Sequence, residues 1–365
     1  MLIFYVVFFF LIIRFAVTLF NFISNPKLPH AFTSHDDLVS VLIPARNEEA
    51  NILLLLTSLK NQDYENIEVF VLDDSSTDNT FEVVQAFCSQ DNRFSVTKGQ
   101  ELESGWLGKN FACHQLAKNA SGKYLLFLDA DEIVKDGLIN NALHRIKQGK
   151  LALLSLFTNQ IMITIGERIV VPLMHFLLLN SLPLRLVRLS GNPKFSAASG
   201  QFMMFESSSY HSNRWHSLVK DKIVEDIEIM KLVKSKKYKT EALLANGFIS
   251  CRMYKGFSEA ISGFGKNLLA GFNYNVPGLV CYLLLIIVGP VFIALYLNYA
   301  LLFFAIALII LSRIMISLAS GQNVILNVLL HPLQMLSLLL VSIVSIRKYF
   351  LKRTSWKGRI IETGI

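Results

Sequence analysis

Between Lys266 and Arg347 the chain carries one formally charged side chain, Arg313. No other feature constrains the fold as strongly. A charge-free block of this length is far more extended than a buried globular core. It accommodates three apolar helical spans, at about 279–297, 299–318 and 328–346. Each is close to the ~20 residues a helix needs to cross a bilayer's hydrocarbon. Gly289, Pro290 and Pro332 are expected to bend them, which neighbouring helices tolerate. A second apolar stretch, LIFYVVFFFLIIRFAVTLF, runs from Leu2 to Phe20 and is interrupted only by Arg14. A signal peptide would want a basic start and a small-residue cleavage site. Neither is present, so a permanent anchor is expected over residues 1–23, with Arg14 snorkelling toward an interface.

These blocks explain a composition of 53% hydrophobic and 17% charged residues in 365. A typical soluble domain is about 45–50% apolar and about 25% charged. An ordinary soluble protein and a disordered chain are both excluded. The tail after Ser345 holds Arg347, Lys348, Lys352, Arg353, Lys357 and Arg359, with Tyr349 and Trp356 as interfacial aromatics. The positive-inside rule makes this tail, residues 347–365, cytoplasmic. A nucleotide-using central domain would be cytoplasmic too. Three crossings would part them, so one of the three spans lies in the interface or re-enters; the sequence leaves open which. The net charge of +8 owes much to this tail and to Lys231, Lys234, Lys236, Lys237 and Lys239. That run reads as a solvated surface attracted to anionic lipid. No motif supports nucleic-acid binding. Cys88, Cys113, Cys251 and Cys281 lack metal-ligand spacing and are expected as free thiols.

The central region alternates strands with helices. DLVSVLIP (37–44), IEVFVLDD (67–74), RFSVTKG (93–99) and KYLLFLDAD (123–131) read as strands. Ile52, Leu55, Leu56 and Leu59 are at helical spacing, with Glu48 and Glu49 near that helix's start. SSTDNT supplies caps for a helix carrying Val83, Val84 and Phe87. Alternation with near-continuous apolar strands implies an α/β domain with a mainly parallel sheet. Ligands bind beyond the carboxyl ends of such strands. Three strands end there in polar groups: Pro44-Ala45-Arg46-Asn47-Glu48, Asp73-Asp74 and Asp129-Ala130-Asp131. The last places two carboxylates on one side of an extended chain, which suits a hard divalent cation shared with phosphate oxygens. The plain alternative is a turn or cap before a helix near Lys135.

IPARNEE, DDSSTDNT and LDAD, in this order, resemble the GT-A glycosyltransferases of family 2. The resemblance covers roughly residues 38–250. It implies a Rossmann-like GT-A domain, here over 36–260, that takes a UDP-sugar donor. Pro44, Ala45, Glu48 and Asp74, with Asp73, would hold uracil and ribose. Asp129 would contact ribose or the metal shell, and Asp131 would bind Mn²⁺ or Mg²⁺ bridging the diphosphate. GWLGKN (105–110) is not a Walker loop, because Glu103 stands at the first glycine position and Asn110 replaces Ser or Thr. Similar W-x-G-K segments in membrane-bound members place Lys109 on the diphosphate; a solvent lysine is the alternative. Glu225-Asp226 opens the helix VEDIEIMKLV and matches the family's E-D pair. Asp226 is the candidate base, with Glu225 beside it; an acidic first helical turn is the alternative. Gly200 and Gln201 would line the acceptor side. The Q-x-x-R-W motif of processive members is missing after that pair. HSNRW (211–215) precedes it and begins with His, so a single transfer is expected.

Residues 161–189 are apolar but carry Glu167, Arg168, Arg185 and Arg188. They are expected as an amphipathic segment in the headgroup region. The anchor, the apolar block at 276–346 and the WKGR ending resemble bacterial carotenoid glycosyltransferases of the diaponeurosporenoate type and hopene-associated enzymes. That resemblance implies a multi-pass cell-membrane enzyme using UDP-glucose and a carotenoid or other isoprenoid lipid acceptor. A polyprenyl-phosphate glycosyltransferase and a non-catalytic transport or binding subunit are the rival readings.

Overall fold

The computed structural model describes residues 2–296, 299–351, 354–356 and 359–361. Lys352, Arg353 and Lys357 of the expected basic tail lie outside the described residues. The chain divides into two compact units. One comprises residues 1–26, 160–185 and 253–354, the other 27–159, 186–252 and 355–365.

The second unit is built on a seven-stranded sheet. Its strands are β1 (Val39–Ala45), β2 (Ile67–Asp73), β3 (Phe94–Lys98), β4 (Tyr124–Leu128), β6 (Leu153–Phe157), β8 (Phe202–Glu206) and β9 (Thr240–Leu244), in the order β3-β2-β1-β4-β8-β6-β9. The β1–β2, β2–β3, β1–β4 and β6–β9 pairs are parallel, and β8 runs antiparallel to both neighbours. Every residue of β4, β6 and β9 is buried, as expected for strands covered on both faces. Two short strands, β5 (Glu132–Val134) and β10 (Ile249–Cys251), pair antiparallel outside the main sheet, and β7 (Asn159–Gln160) is a further short strand. The helix at Ile52–Lys60 buries Ile52, Leu55, Leu56 and Leu59, the positions its spacing indicated.

Glu48 and Glu49 stand near that helix's start, where the Glu48 carbonyl accepts from the N–H groups of Asn51 and Ile52. Within SSTDNT it is Asp78, not Asn79, that meets the start of the helix Thr80–Cys88: its Oδ1 accepts from the Thr80 N–H at 3.1 Å. One local expectation needs correction. Lys234 is not solvated. It is 3% exposed, donates to the carbonyls of Val187 (3.0 Å) and Phe195 (2.6 Å), and burial lowers its pKa to about 8.

The first unit is apolar and helical. Among the described residues, four helical stretches are long and apolar enough to cross a membrane: Tyr5–Ser24, Val276–Leu295, Tyr299–Ser320 and His331–Phe350. The second contains a π-helical turn at Leu284–Val288, just before Gly289-Pro290. Proline has no N–H for the ladder, so local widening there is its ordinary consequence. Pro332 does not bend its span. It occupies the first turn of the helix His331–Phe350, where a missing N–H costs nothing, so the span begins at 331 instead of 328. The segment expected as one amphipathic stretch is broken into short helices at Ile165–Val170, Leu173–Ser181 and Leu186–Leu189. All four cysteines are free.

Candidate active site

The chain leaves β1 and β2 at adjacent positions, with Ala45 in register with Asp73. The Asp74 N–H donates to the Ala45 carbonyl at 2.8 Å. Beyond that point the two loops are laced together. Asn47 N–H donates to Ser76 Oγ, Glu48 N–H to Thr80 Oγ1, and Thr77 N–H to Asn47 Oδ1. Arg46 Nη1 donates to the carbonyls of Asp74 and Ser75. Asn47 and Ser75 take left-handed backbone (φ 52° and 55°), which turns both loops back on themselves. The result is a rigid rim carrying Pro44, Ala45, Glu48, Asp73 and Asp74. Asp73 is 5% exposed, and its Oδ1 has no hydrogen-bond partner among the described residues. A buried carboxylate oxygen without a donor fits the N–H or O–H of a ligand.

A second group gathers around Lys109. GWLGKN becomes the start of the helix Gly108–Asn119, and Asn110 Nδ2 ties it to the carbonyls of Val219, Lys220 and Lys222. Lys109 Nζ lies 2.7 Å from Asp129 Oδ1 and 3.3 Å from Glu225 Oε1, and donates to the Gly200 carbonyl at 3.4 Å. Burial alone would lower the lysine's pKa; Asp129 and Glu225 hold it well above the usual value, so it stays a cation. Gly200 N–H donates to Asp226 Oδ2 at 2.8 Å, and Ile227 N–H to Oδ1 at 2.8 Å. Burial and the Glu225 charge raise the Asp226 carboxyl to about 7, against those two N–H bonds and Lys109. A built Cβ on Gly200 would lie 3.0 Å from both Lys109 Nζ and Glu225 Oε1, so the backbone approaches these charges closely. Gln201 is turned otherwise: its Oε1 accepts from Thr158 Oγ1 (2.9 Å) and Ser199 Oγ (3.3 Å), and its carbonyl from Asp129 N–H.

The two groups share one electrostatic neighbourhood. Burial raises the Cys113 thiol's pKa, Lys109 opposes this, and Glu225, Asp129 and Asp74 add to it. Because β1, β2 and β4 are parallel neighbours, their carboxyl ends bring Asp73, Asp74 and Asp129 to one sheet edge, where Lys109, Gly200 and Glu225 join Asp129. HSNRW does not join them as a substrate clamp; Trp215 is fully buried and Arg214 sits in left-handed backbone.

Two residues that the sequence did not single out adjoin Asp131. Cys251, on β10, donates its thiol to Asp131 Oδ2 at 3.3 Å. Glu132 is fully buried, and neither carboxylate oxygen has a hydrogen-bond partner among the described residues. Burial, then Asp131 and Asp129, push its carboxyl well up. Ligand atoms of Asp131, Glu132 and Cys251 lie within 4.8 Å of one another. Two carboxylates and a thiol at this spacing fit a divalent cation. Glu132 was legible as the neighbour of Asp131; Cys251, in a different segment, was not.

Residues 40–212 match the family model described as Glycosyl transferase family 2. A 4,4'-diaponeurosporenoate glycosyltransferase of Staphylococcus haemolyticus is 29% identical over 259 residues, 69% of this chain and 66% of its own length. A GalNAc(5)-diNAcBac-PP-undecaprenol beta-1,3-glucosyltransferase of Campylobacter jejuni is 31% identical over 112 residues, 30% of this chain and 35% of its own. The aligned region thus spans just under two thirds of the first relative and about a third of the second. A mannosyltransferase of Pyrobaculum calidifontis, solved with GDP-Man and Mn2+, superposes with a TM-score of 0.56 at 14% identity, covering 94% of this chain and 99% of that one. That likeness concerns the fold.

Proposed function

Because residues 40–212 match the family model described as Glycosyl transferase family 2, we propose that this chain transfers one sugar, glucose from UDP-glucose, to a membrane lipid, with inversion at the anomeric carbon. The acceptor is a carotenoid or another isoprenoid. The catalytic domain faces the cytoplasm, and the protein spans the cell membrane more than once. The observation that carries the chemistry is the Lys109 cluster, in which one cation meets Asp129 and Glu225 while Gly200 fixes Asp226.

The rim of Pro44, Ala45, Glu48, Asp73 and Asp74 takes the uridine. The Asp73 oxygen lacking a partner is the kind of acceptor that a base N–H or ribose hydroxyl satisfies. Lys109 offsets diphosphate charge. Asp131, with Glu132 and Cys251 at hand, would hold Mn²⁺ or Mg²⁺, which would supply Lewis-acid stabilisation of charge on the leaving group, and Asp129 supports the ribose side. For a hydroxyl acceptor, Asp226 accepts the proton as that oxygen bonds to C1, the C1–O bond to the diphosphate breaks and its electron pair leaves with UDP; a carboxylate acceptor attacks C1 already ionised and needs no base. A carboxyl poised near neutral suits this role, since a stronger acid would be a poor base. Glu225 keeps Lys109 in place and raises Asp226.

The lipid acceptor is supported by four long apolar helical stretches in the same chain and by the diaponeurosporenoate relative. The Campylobacter relative, whose name carries an undecaprenol-linked substrate, supports a second reading in which the acceptor is a polyprenyl phosphate. Membranes containing the protein, supplied with labelled UDP-glucose and with either a carotenoid carboxylate or undecaprenyl phosphate, separate the two. Label in a carotenoid lipid is the expected result. Label in an acid-labile polyprenyl product selects the second reading. Label only in soluble sugar overturns both.

A further inference from the structure

Phe176 is shared by two guanidinium groups. Arg14 Cζ lies 5.1 Å from its ring centroid and Arg313 Cζ 4.7 Å, so the cations are no farther apart than those distances combined. Both occur in apolar stretches long enough to span a membrane, Tyr5–Ser24 and Tyr299–Ser320. Arg313 is 1% exposed, while Arg14 is half-buried. A charge in such a helix is costly and ordinarily has an assigned partner.

Neither arginine has a carboxylate partner among the described residues. The unit's three segments contain two acidic residues, Glu167 and Glu259. Glu167 accepts from Ile163 N–H and Thr164 Oγ1, and Glu259 from Lys255 N–H. The groups that do reach the arginines are neutral. Asn180 Oδ1 accepts from Arg14 Nε at 3.3 Å, the Asn327 carbonyl from Arg313 Nε at 3.4 Å, and Gln334 Oε1 from Arg313 Nη2. Aromatic faces offset part of the charge: Phe10 and Tyr282 also face Arg14 at 5.5 and 5.7 Å. What is left over is donor capacity. Arg313 Nη1 and Asn180 Nδ2 are buried without partners among the described residues.

Two like charges around one ring, with spare donors and no counter-charge, form half of an ion-binding site. We infer that this cluster binds the anionic group, a carboxylate or a phosphate, of a membrane amphiphile. The anion would neutralise the pair, occupy the spare donors, and enter beside Arg14, the more exposed of the two. This goes beyond the transferase reading and stands whether or not that amphiphile is the sugar acceptor.

The test uses the full chain in nanodiscs of phosphatidylcholine and a fluorescent polyene fatty acid, with its methyl ester as the uncharged control. The acid is expected to bind at least about tenfold more tightly than the ester, the scale of one charge-assisted hydrogen bond. Arg14→Gln and Arg313→Gln should each remove that preference and leave ester binding unchanged. Displacement by phosphatidic acid as well as by unlabelled fatty acid identifies a site for either anion; displacement by one alone identifies its source. Equal affinity of acid and ester in the unaltered protein, or an undiminished preference in Arg14→Gln, overturns the inference. Should Arg313→Gln fail to fold, Arg14→Gln, altered at the less buried of the two positions, decides alone.

Discussion

The backbone N–H of Gly200 donates to Asp226 Oδ2 at 2.8 Å, joining a loop before β8 to the first turn of the helix Glu225–Ser235. Together with the Ile227 N–H it holds both oxygens of one carboxylate. These bonds favour the ionised form, while burial and Glu225 favour the protonated one. The balance near neutral pH makes the group testable.

If Asp226 is the base, kcat/KM should show an acid limb with an apparent pKa of about 7. Asp226→Asn should lower kcat by roughly 100-fold or more with donor binding intact. Undiminished turnover would remove the base role, as when the acceptor is already an ionised carboxylate. Stability gives an independent reading. The folded carboxyl titrates about 7 and the unfolded one at 3.8, so the folded state holds the extra proton in that window. Its stabilising contribution is complete below the unfolded value and lost as pH rises through about 7. The melting temperature of Asp226→Asn, relative to the unaltered protein, should therefore climb across that window.

Lys109 lowers the Asp226 pKa, in opposition to burial and Glu225. Lys109→Met should move the acid limb of kcat/KM to higher pH and also lower kcat. A limb that stays in place would show that the lysine acts only on the donor.

Gly200→Ala puts a methyl group 3.0 Å from Lys109 Nζ and Glu225 Oε1. Both neighbours are ends of flexible side chains, so the fold should survive with a nearly unchanged melting temperature. Activity should fall about ten- to a hundred-fold, because displacing catalytic groups by a fraction of an ångström to an ångström costs that much. A fully active, equally stable variant would mean that this close approach is incidental.

Removing divalent ions with a chelator should abolish transfer, and Mn²⁺ should restore it. Cys251→Ser should weaken binding of Cd²⁺ or Zn²⁺ more than that of Mg²⁺, since thiolate is the softer ligand. Calorimetric titration of the purified protein measures this without any substrate. Equal changes for all ions would remove Cys251 from the metal's surroundings.

Arg145 and Glu241 form a buried bidentate pair, at 2.6 and 2.7 Å, between the helix Leu138–Gly149 and β9. Glu241→Ala leaves the guanidinium buried without its partner. A loss of about 3–5 kcal/mol is expected, read by denaturant unfolding of the full chain in detergent. The double variant Arg145→Met with Glu241→Leu should recover much of it.

Near-sequence information settled a good deal. Hydrophobic runs marked the four long apolar helical stretches, and strand–helix alternation marked the α/β domain. Polar endings on β1, β2 and β4 marked one edge of the sheet, because parallel strands bring their carboxyl ends to the same side. The proline rule, applied at 332, would also have fixed the start of the last span. What the residues alone left undecided involves partners far apart in the chain. The attachment of Lys109 to Asp129 and Glu225, the neutral-range Asp226, the withdrawal of Lys234 from solvent and the approach of Cys251 to Asp131 all depend on burial and on contacts across 20 to 120 residues. Local sequence specifies periodicity and turn chemistry, since these act between near neighbours. Electrostatic identity is decided by which groups share a volume from which water is excluded, and only the tertiary fold creates that volume.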